Sequence, residues 1–358
     1  MPRIDELLRM VVERGGSDLH LNSGLAPRLR IRGDLVPIER PPLTDASCRE
    51  QLYEICTPAQ IERFESTGDM DLAYGIPGVA RFRCNFYVQI NGASAVFRLI
   101  PDAIVQLGKL GLPAAVDRFP HMRRGLVLVT GPTGSGKSTT LAAILDVMNR
   151  TYRRHIVTVE DPIEFVHVNV KSVLTQREVG AHTASFAAAV RAAVRQDPDV
   201  LLVGEMRDLE TISLALTAAE MGLLVFGTLH TNDAVRTIDR IIDVFPADQQ
   251  HQTRVMLADS LQGVCSQILL KTRDGKGRAP ATEILLGSRA LSNCIREGNT
   301  AMIPSIIQAG KAEGMRSMDD DLWELATAGR IFAYDAYSKA HDKKRFEGLQ
   351  PSEGDGRK

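Results

Sequence analysis

A glycine-rich stretch with one lysine and a hydroxyl residue is the part of the sequence that most directly implies chemistry. Residues 131–138 read G-P-T-G-S-G-K-S, which matches the G-x-x-x-x-G-K-[ST] pattern of a phosphate-binding loop. Glycines have no Cβ, so backbone N–H groups can close around phosphate oxygens. Lys137 can reach the β- and γ-phosphates of ATP, and the Ser138 hydroxyl can bind Mg²⁺. We expect the nucleotide to bind at Gly131, Pro132, Thr133, Gly134, Ser135, Gly136, Lys137, Ser138 and Thr139.

Two acidic segments follow apolar runs further along the chain. The sequence I-V-T-V ends at Glu160 and Asp161, and carboxylates at a strand end can hold Mg²⁺ or polarise an attacking water. The sequence V-L-L-V ends at Gly204 and Glu205, which has the form of a Walker B segment with glycine at the usual aspartate position, so Glu205 must supply the charge. We expect Glu160 and Glu205 to be catalytic and Mg²⁺ to be held by Ser138, Glu160, Asp161 and Glu205. Which of the two glutamates polarises water stays open.

A histidine ends a third apolar run, in the sequence G-T-L-H-T-N. His230 stands between hydroxyl and amide residues, where an imidazole could sense the γ-phosphate or the attacking water. A purely structural histidine is the alternative. We include His230 among the expected catalytic residues.

Three arginines lie on predicted strands far from the glycine loop. Arg81 and Arg83 alternate with Phe82 and therefore share one face of their strand, and Arg98 lies on the next strand. Like charges side by side are unfavourable unless an anion meets them, so we expect Arg81, Arg83 and Arg98 to contact ATP phosphates, as arginine fingers do. A solvent-exposed strand face is the alternative.

The surrounding pattern predicts the elements that must position these residues. Residues 1–100 indicate a small α+β domain, and residues 101–113, with two prolines and two glycines, a linker. Residues 114–342 begin with alternating strands and helices, which favours an α/β fold with a parallel, doubly wound sheet. From residue 246 we expect mostly helices with one hairpin near 274–277, and from 343 to 358 a disordered tail.

Net charge, cysteine content and hydropathy indicate which classes of protein the chain can belong to. The 358 residues carry a net charge of −1, which gives no basic field for nucleic acid. Five scattered cysteines without a C-x-x-C pair fit a reducing compartment and no four-cysteine zinc site. No window approaches 18 uncharged apolar residues. We expect a cytoplasmic protein that does not span the membrane and does not bind nucleic acid.

Taken together, the four motifs resemble the Walker A, Asp box, Walker B and His box of the type II secretion and type IV pilus ATPases. The segments carrying the resemblance are G-P-T-G-S-G-K-S-T, V-T-V-E-D-P-I-E, L-L-V-G-E-M-R-D and T-L-H-T-N. Glycine followed by glutamate in the Walker B segment is typical of that family. The resemblance implies a PAS-like first domain, a RecA-like ATPase domain with C-terminal helices, ATP and Mg²⁺ as ligands, and a homo-hexameric ring.

Within that family the chain is most similar to the pilus-retraction motors. Residues 205–212 and 230–232 carry this similarity, and the zinc insertion of extension and secretion motors is lacking. The resemblance implies a hydrolase that powers retraction and twitching motility, held at the inner membrane by a platform protein of the pilus. Ser292 stands where retraction motors usually carry arginine. The alternatives are an extension or secretion-assembly ATPase, an accessory retraction ATPase, a nucleotide-gated regulator that barely hydrolyses, or a nucleic-acid translocase.

Overall fold

The computed structural model describes residues 2–31, 33–100 and 104–349. The chain divides into two compact units: one comprises residues 1–103 with the short segment 162–166, and the other comprises 104–161 and 167–358. Assignment of 162–166 to the first unit was not anticipated from the sequence. The first three residues of the predicted linker lie outside the described residues, and Leu107–Lys109 within it form a 3₁₀ turn.

The described residues of the first unit form six strands and three helices. The strands are β1 Asp18–Asn22, β2 Arg28–Ile31, β3 Asp34–Pro37, β4 Asp69–Ile76, β5 Ala80–Gln89 and β6 Gly92–Ile100. The helices are α1 Arg3–Glu13, α2 Asp45–Tyr53 and α3 Pro58–Thr67. The sheet runs in the order β3-β2-β1-β6-β5-β4, and all of its pairings are antiparallel. The unit is α+β as expected, and its finer assignment as PAS-like stays a prediction.

Strand alternation gives this sheet one apolar and one polar face. On β5, Phe82, Cys84 and Phe86 are fully buried in the core of the unit, whereas Arg81 and Arg83 alternate with them. The sharing of one face by these two arginines is therefore confirmed. The start of α3 was also recognisable, because Thr57 and Gln60 form a capping box and Pro58 occupies the first helical position.

Within the part of the second unit that the structure describes, seven strands form one sheet. They are β7 Gly125–Thr130, β8 His155–Glu160, β9 Val173–Glu178, β10 Val200–Val203, β11 Leu224–Leu229, β12 Leu261–Lys271 and β13 Arg278–Leu286. Their order is β13-β12-β7-β11-β10-β8-β9. All neighbours are parallel except β12 and β13, so the predicted parallel sheet carries one antiparallel edge strand. β7, β10 and β11 are buried at every position, which is typical of strands covered on both faces.

Helices of the second unit follow most of its strands. They are α4 Lys137–Thr151, α5 Phe186–Ala193, α6 Leu209–Glu220, α7 Ala234–Asp243, α8 Gln250–Ser260, α9 Arg289–Glu297, α10 Ile303–Ala309, α11 Met318–Thr327, α12 Ala333–Lys339 and α13 Lys343–Phe346. No helix in the described part of the chain is both long and apolar enough to cross a membrane.

The region after residue 246 differs from the prediction of mostly helical structure. The hairpin is present, but its strands β12 and β13 are 11 and 9 residues long, and β12 joins the main sheet beside β7. The run L-Q-G-V-C-S-Q-I-L-L-K has helical and strand features alike, because short apolar runs do not distinguish a buried strand from a helix. Pairing with β13 and with β7, which is far away in sequence, decides between them.

The predicted disorder from residue 343 is wrong for residues 343–349. Lys343–Phe346 form α13 and Glu347–Leu349 a 3₁₀ turn. Phe346 is fully buried, and its ring packs edge-on against Trp323 with 5.5 Å between centroids. The segment is charged in composition, but Phe346 anchors it to α11 through Trp323. Residues 350–358 of the predicted tail lie outside the described residues.

Candidate active site

The glycine loop lies between the end of β7 and the start of α4. Gly131, Gly134 and Gly136 have φ angles of 143°, 77° and 88°, which residues with a side chain rarely adopt. Lys137 is the first residue of α4, and its Nζ donates hydrogen bonds to the carbonyl oxygens of Gly131 (2.8 Å) and Pro132 (3.1 Å). The loop therefore has the strand, turn and helix N-terminus that a phosphate site requires.

The remaining loop residues divide into exposed and buried positions. Pro132, Thr133 and Gly134 are exposed, whereas Ser138 and Thr139 are half-buried in the first turn of α4. Ser135 is buried. The Ser138 hydroxyl thus lies at the helix N-terminus, where the predicted Mg²⁺ contact would need it.

The sheet brings the other predicted residues of this unit to the same edge. β7, β11, β10 and β8 are consecutive parallel neighbours, so their carboxyl ends lie side by side. Glu160 is the last residue of β8, Glu205 lies two residues beyond β10, and His230 directly follows β11. Ligands of open α/β sheets bind at such an edge.

Glu205 connects two of these strand ends. Its carboxylate accepts a hydrogen bond from Arg207 Nε and lies 2.9 Å from Nε2 of His230. Burial opposes ionisation of Glu205, but the guanidinium of Arg207 and the neighbouring His230 outweigh this effect, so the pKa of the carboxyl lies below its ordinary value. Glu205 is therefore held as a carboxylate at neutral pH. The role of Arg207 as its direct partner was not predicted.

Steric crowding explains why position 204 is a glycine. Its N–H donates to the carbonyl of Val159 at 2.7 Å, and a Cβ at this position would lie 2.9 Å from the same oxygen and 3.2 Å from the Cα of Glu160. An aspartate would therefore collide with the backbone of β8. The departure from the usual Walker B pattern follows from the close approach of β10 and β8.

Glu160 is the last residue of β8, and Asp161 directly follows the strand. Oε1 of Glu160 accepts hydrogen bonds from the hydroxyl of Thr158 (2.7 Å) and from Nε2 of Gln176 (3.3 Å). Asp161 is exposed, and its charge contributes to the raised pKa of Arg207 after the larger effect of Glu205. Glu205 and Asp161 thus both act on Arg207.

Within the described ranges, no three or more His, Cys, Asp or Glu side chains form a cluster that could hold a metal ion. A Mg²⁺ ion bound with a nucleotide differs from such a site, because it usually takes phosphate oxygens and waters and only one or two protein ligands. The Ser138 hydroxyl and nearby carboxylates fit that requirement.

The three predicted arginines belong to the first unit. Arg83 and Arg98 are cross-strand neighbours, and Nε of Arg98 donates to the buried Asp18 at 2.8 Å. Burial raises the pKa of Asp18, but hydrogen bonds from Ser17 and Arg98 and the charge of Arg98 bring it below its ordinary value. Asp18 thus supplies an anion beside Arg98, and the expected contact of Arg81, Arg83 and Arg98 with ATP phosphates stays a prediction.

One contact to the glycine loop was missed from the sequence. Gln267 of β12 is buried and hydrogen-bonded to Ser135 and Thr140. A glutamine inside the apolar run of residues 261–270 was the available signal, but its partners are more than 120 residues away.

A glycine loop after a central parallel strand, with carboxylates at the adjacent strand ends, defines a RecA-like P-loop domain that binds a nucleoside triphosphate. The sequence model of the family described as "Type II/IV secretion system protein" matches residues 1–317. The chain is 50% identical over 343 residues to the type IV pilus retractation ATPase PilT of Pseudomonas aeruginosa, covering 96% of this chain and 99% of that protein. It is 47% identical over 318 residues to a twitching motility protein of Neisseria gonorrhoeae, and the match covers 89% of this chain and 85% of that protein. The chain belongs to the type II/IV secretion system protein family.

A solved structure agrees with this membership. The crystal structure of the pilus retraction motor PilT with bound ADP matches this chain with a TM-score of 0.88 and 44% identity, covering 95% of this chain and 97% of that one. The resemblance predicted from the four motifs is confirmed.

Proposed function

We propose that this chain hydrolyses ATP and uses the energy to retract type IV pili by removing pilin subunits, which drives twitching motility. The observation that carries the proposal is the joint placement of Lys137 and Ser138 at a helix N-terminus beside Glu160, Glu205 and His230 at neighbouring strand ends. Its likeness over nearly its whole length to a pilus retractation ATPase supports the same function.

The residues of the second unit take distinct roles in this proposal. The backbone N–H groups of the loop and Lys137 bind the phosphates. Glu160 or Glu205 polarises the attacking water, and His230, which contacts Glu205, responds to the state of the γ-phosphate. Hydrolysis then changes the charge that these groups face, because the γ-phosphate leaves the site.

Mg²⁺ is the cation that we propose for the site. Ser138, Glu160, Asp161 and Glu205 would hold it directly or through water, together with phosphate oxygens. When bound, the ion neutralises charge that develops on the phosphates.

We further propose that Arg81, Arg83 and Arg98 contact the ATP phosphates, from the same chain or from a neighbouring one. Arg98 is exposed over 71% of its side chain, and Asp18 over only 4%, so the guanidinium can reach outward while its partner stays fixed. Exchange of Asp18 for a phosphate would make this contact dependent on the nucleotide.

The assembly that we propose is a homo-hexamer, with ATP sites completed between subunits. It would act in the cytoplasm, held at the inner membrane by the platform protein of the pilus and not by a span of its own. We propose no nucleic-acid partner, because the net charge is −1.

The proposed function is tested by Lys137→Ala. This change removes the cation of the loop, so Mg-ATP turnover should fall to background while the circular dichroism spectrum stays that of the wild type. In cells that depend on this protein, the variant should leave many surface pili and no twitching motility. Wild-type hydrolysis by Lys137→Ala would contradict the site, and cells without pili would indicate extension instead of retraction.

The contribution of the arginines is tested by mixing two inactive proteins. Arg81→Ala and Lys137→Ala damage different parts of the proposed site, so mixed rings should recover part of the ATPase activity if the site is shared between subunits. No recovery in rings shown to be mixed would favour a site within one chain. Full activity of the separate Arg81→Ala, Arg83→Ala and Arg98→Ala variants would refute the assignment.

A further inference from the structure

A buried glutamine of β12 connects the glycine loop with the start of α4. Gln267 is 2% exposed; its Nε2 donates to the carbonyl of Ser135 at 2.7 Å, and its Oε1 accepts from the hydroxyl of Thr140 at 3.0 Å. A carbonyl can only accept, so the amide nitrogen has to face Ser135. The side chain therefore links the loop to the first turn of α4.

This bond fixes the orientation of one peptide group. In a planar trans peptide the C=O and the following N–H point in opposite directions. The carbonyl of Ser135 points toward Gln267, so the N–H of Gly136 points away from β12. Inward-facing N–H groups are what such a loop offers to phosphate oxygens, and a rotated peptide would present its carbonyl oxygen instead.

The fit between loop and strand is close. Ser266 pairs with Thr130 in the parallel register of β12 and β7, which brings Gln267 beside the first residue of the loop. A Cβ on Gly136 would lie 3.1 Å from Nε2 of Gln267 and 3.4 Å from Cδ1 of Leu269. A Cβ on Gly131 would collide with the carbonyl oxygen of Gln267. The loop thus rests directly on β12 at both of its ends.

We propose that Gln267 is a positioning residue for nucleotide binding, which holds the peptide between Ser135 and Gly136 with its N–H directed at the phosphates. The inference rests on the proposed function, because it requires a nucleotide in the loop. The competing explanation is that Gln267 only satisfies its own polar atoms in the core, in which case its loss lowers stability but not phosphate affinity.

Two substitutions separate these explanations. Gln267→Met keeps the length and apolar bulk and loses both hydrogen bonds. Gln267→Asn keeps a neutral amide but is one methylene shorter, so its donor cannot reach the carbonyl of Ser135. We expect the dissociation constant for ADP, measured by calorimetry on the full chain, to rise about 10- to 100-fold in both variants. This is the range typical of losing one hydrogen bond to a charged group, here the bond from the Gly136 N–H to a phosphate.

Thr282→Val is the matched control. Thr282 is the cross-strand partner of Gln267 on β13, is fully buried, and donates its hydroxyl hydrogen bond to Asp321 at 2.7 Å, away from the loop. Thr282→Val should lower the unfolding temperature about as much as Gln267→Met does. Its dissociation constant for ADP should stay within about threefold of the wild-type value.

The outcomes are distinct. Wild-type ADP affinity in Gln267→Asn would overturn the inference, even if Gln267→Met failed to fold, because the shortened side chain keeps the charge and polarity and loses the bond to Ser135. An equal loss of ADP affinity in Thr282→Val would also overturn it and indicate a general effect of core damage. Failure of the wild-type protein to bind ADP would overturn the proposed function together with this inference.

Discussion

Replacement of Glu205 by glutamine tests the chemistry of the site with little change in packing. The side chain is 18% exposed and contacts Arg207 and His230. Glutamine has the same size and can still accept one hydrogen bond, so the change removes a negative charge and leaves no cavity. We expect ATP turnover to fall by about 10²–10⁴, while the affinity for ADP stays within about threefold.

The magnitude follows from simple electrostatics. Each factor of ten in rate corresponds to about 1.4 kcal/mol, so the expected loss is about 3–5 kcal/mol of transition-state stabilisation. A unit charge acting on a cation or a developing positive charge about 5 Å away, at an effective dielectric constant of about 20, contributes about 3 kcal/mol. The two figures agree, so the expected loss has the size that removal of one nearby charge gives.

The assay is steady-state phosphate release, with Glu160→Gln measured in parallel. Removal of a general base lowers kcat at any Mg²⁺ concentration, whereas removal of a metal contact is partly compensated by raising Mg²⁺. This comparison assigns the two roles that the sequence left open. Turnover at the wild-type rate in Glu205→Gln would refute the reasoning for this residue.

Arg207→Ala adds a pH readout to the same test. Arg207 lowers the pKa of Glu205 against the opposing effect of burial, so its removal raises that pKa. The acid limb of the pH–rate profile of whatever activity remains should therefore move to higher pH. An unmoved acid limb would show that Glu205 does not control the activity in this range.

Two predictions concern the ordered end of the chain. Phe346→Ala removes a fully buried ring and should lower the free energy of unfolding, measured in urea, by about 3–5 kcal/mol. Phe332→Ala is the control, because that side chain is 45% exposed, and it should lower the same free energy by less than about 1 kcal/mol. Equal effects of the two changes would contradict the burial of Phe346. Asp320 lies 2.8 Å from both Lys311 and Arg345, and although burial raises its pKa, these hydrogen bonds bring it well below the ordinary value. The ionised Asp320 therefore stabilises the folded state above pH about 4, and this stabilisation is lost as pH falls through the folded-state pKa. Asp320→Asn should lower the free energy of unfolding by about 1 kcal/mol at pH 7 and approach the wild type in acid. A constant difference between the two proteins down to pH 2 would contradict this.

The sequence predicted those parts of the site whose signals are local. The strand, loop and helix around Lys137 could be predicted because glycine spacing and flanking residues act over about 20 positions. Glu160, Glu205 and His230 could be placed at strand ends for the same reason, and the parallel order of the sheet then brought them to one edge.

Features decided by distant pairing could not be predicted in this way. A hairpin near 274–277 was predicted, but the length of β12 and its place in the main sheet were not, because they depend on pairing with β7. β9 was missed because its half-buried edge position shows little apolar periodicity. The ion pair of Arg98 with Asp18 joins residues 80 positions apart. The order of residues 343–349 involves packing of Phe346 against Trp323, which the local composition does not indicate.

The contact between β12 and the glycine loop has a consequence for the order in which the protein becomes competent. The hydroxyls of Thr130 and Ser266 meet across 136 residues, and Gln267 reaches Ser135 across 132. During synthesis the loop leaves the ribosome long before the strand that supports it, and contacts of such sequence separation form late in folding. A chain that ends before residue 261 would contain every motif residue of the loop and lack its support. Nucleotide binding would then report that the C-terminal half of the second unit has been made and has joined the sheet.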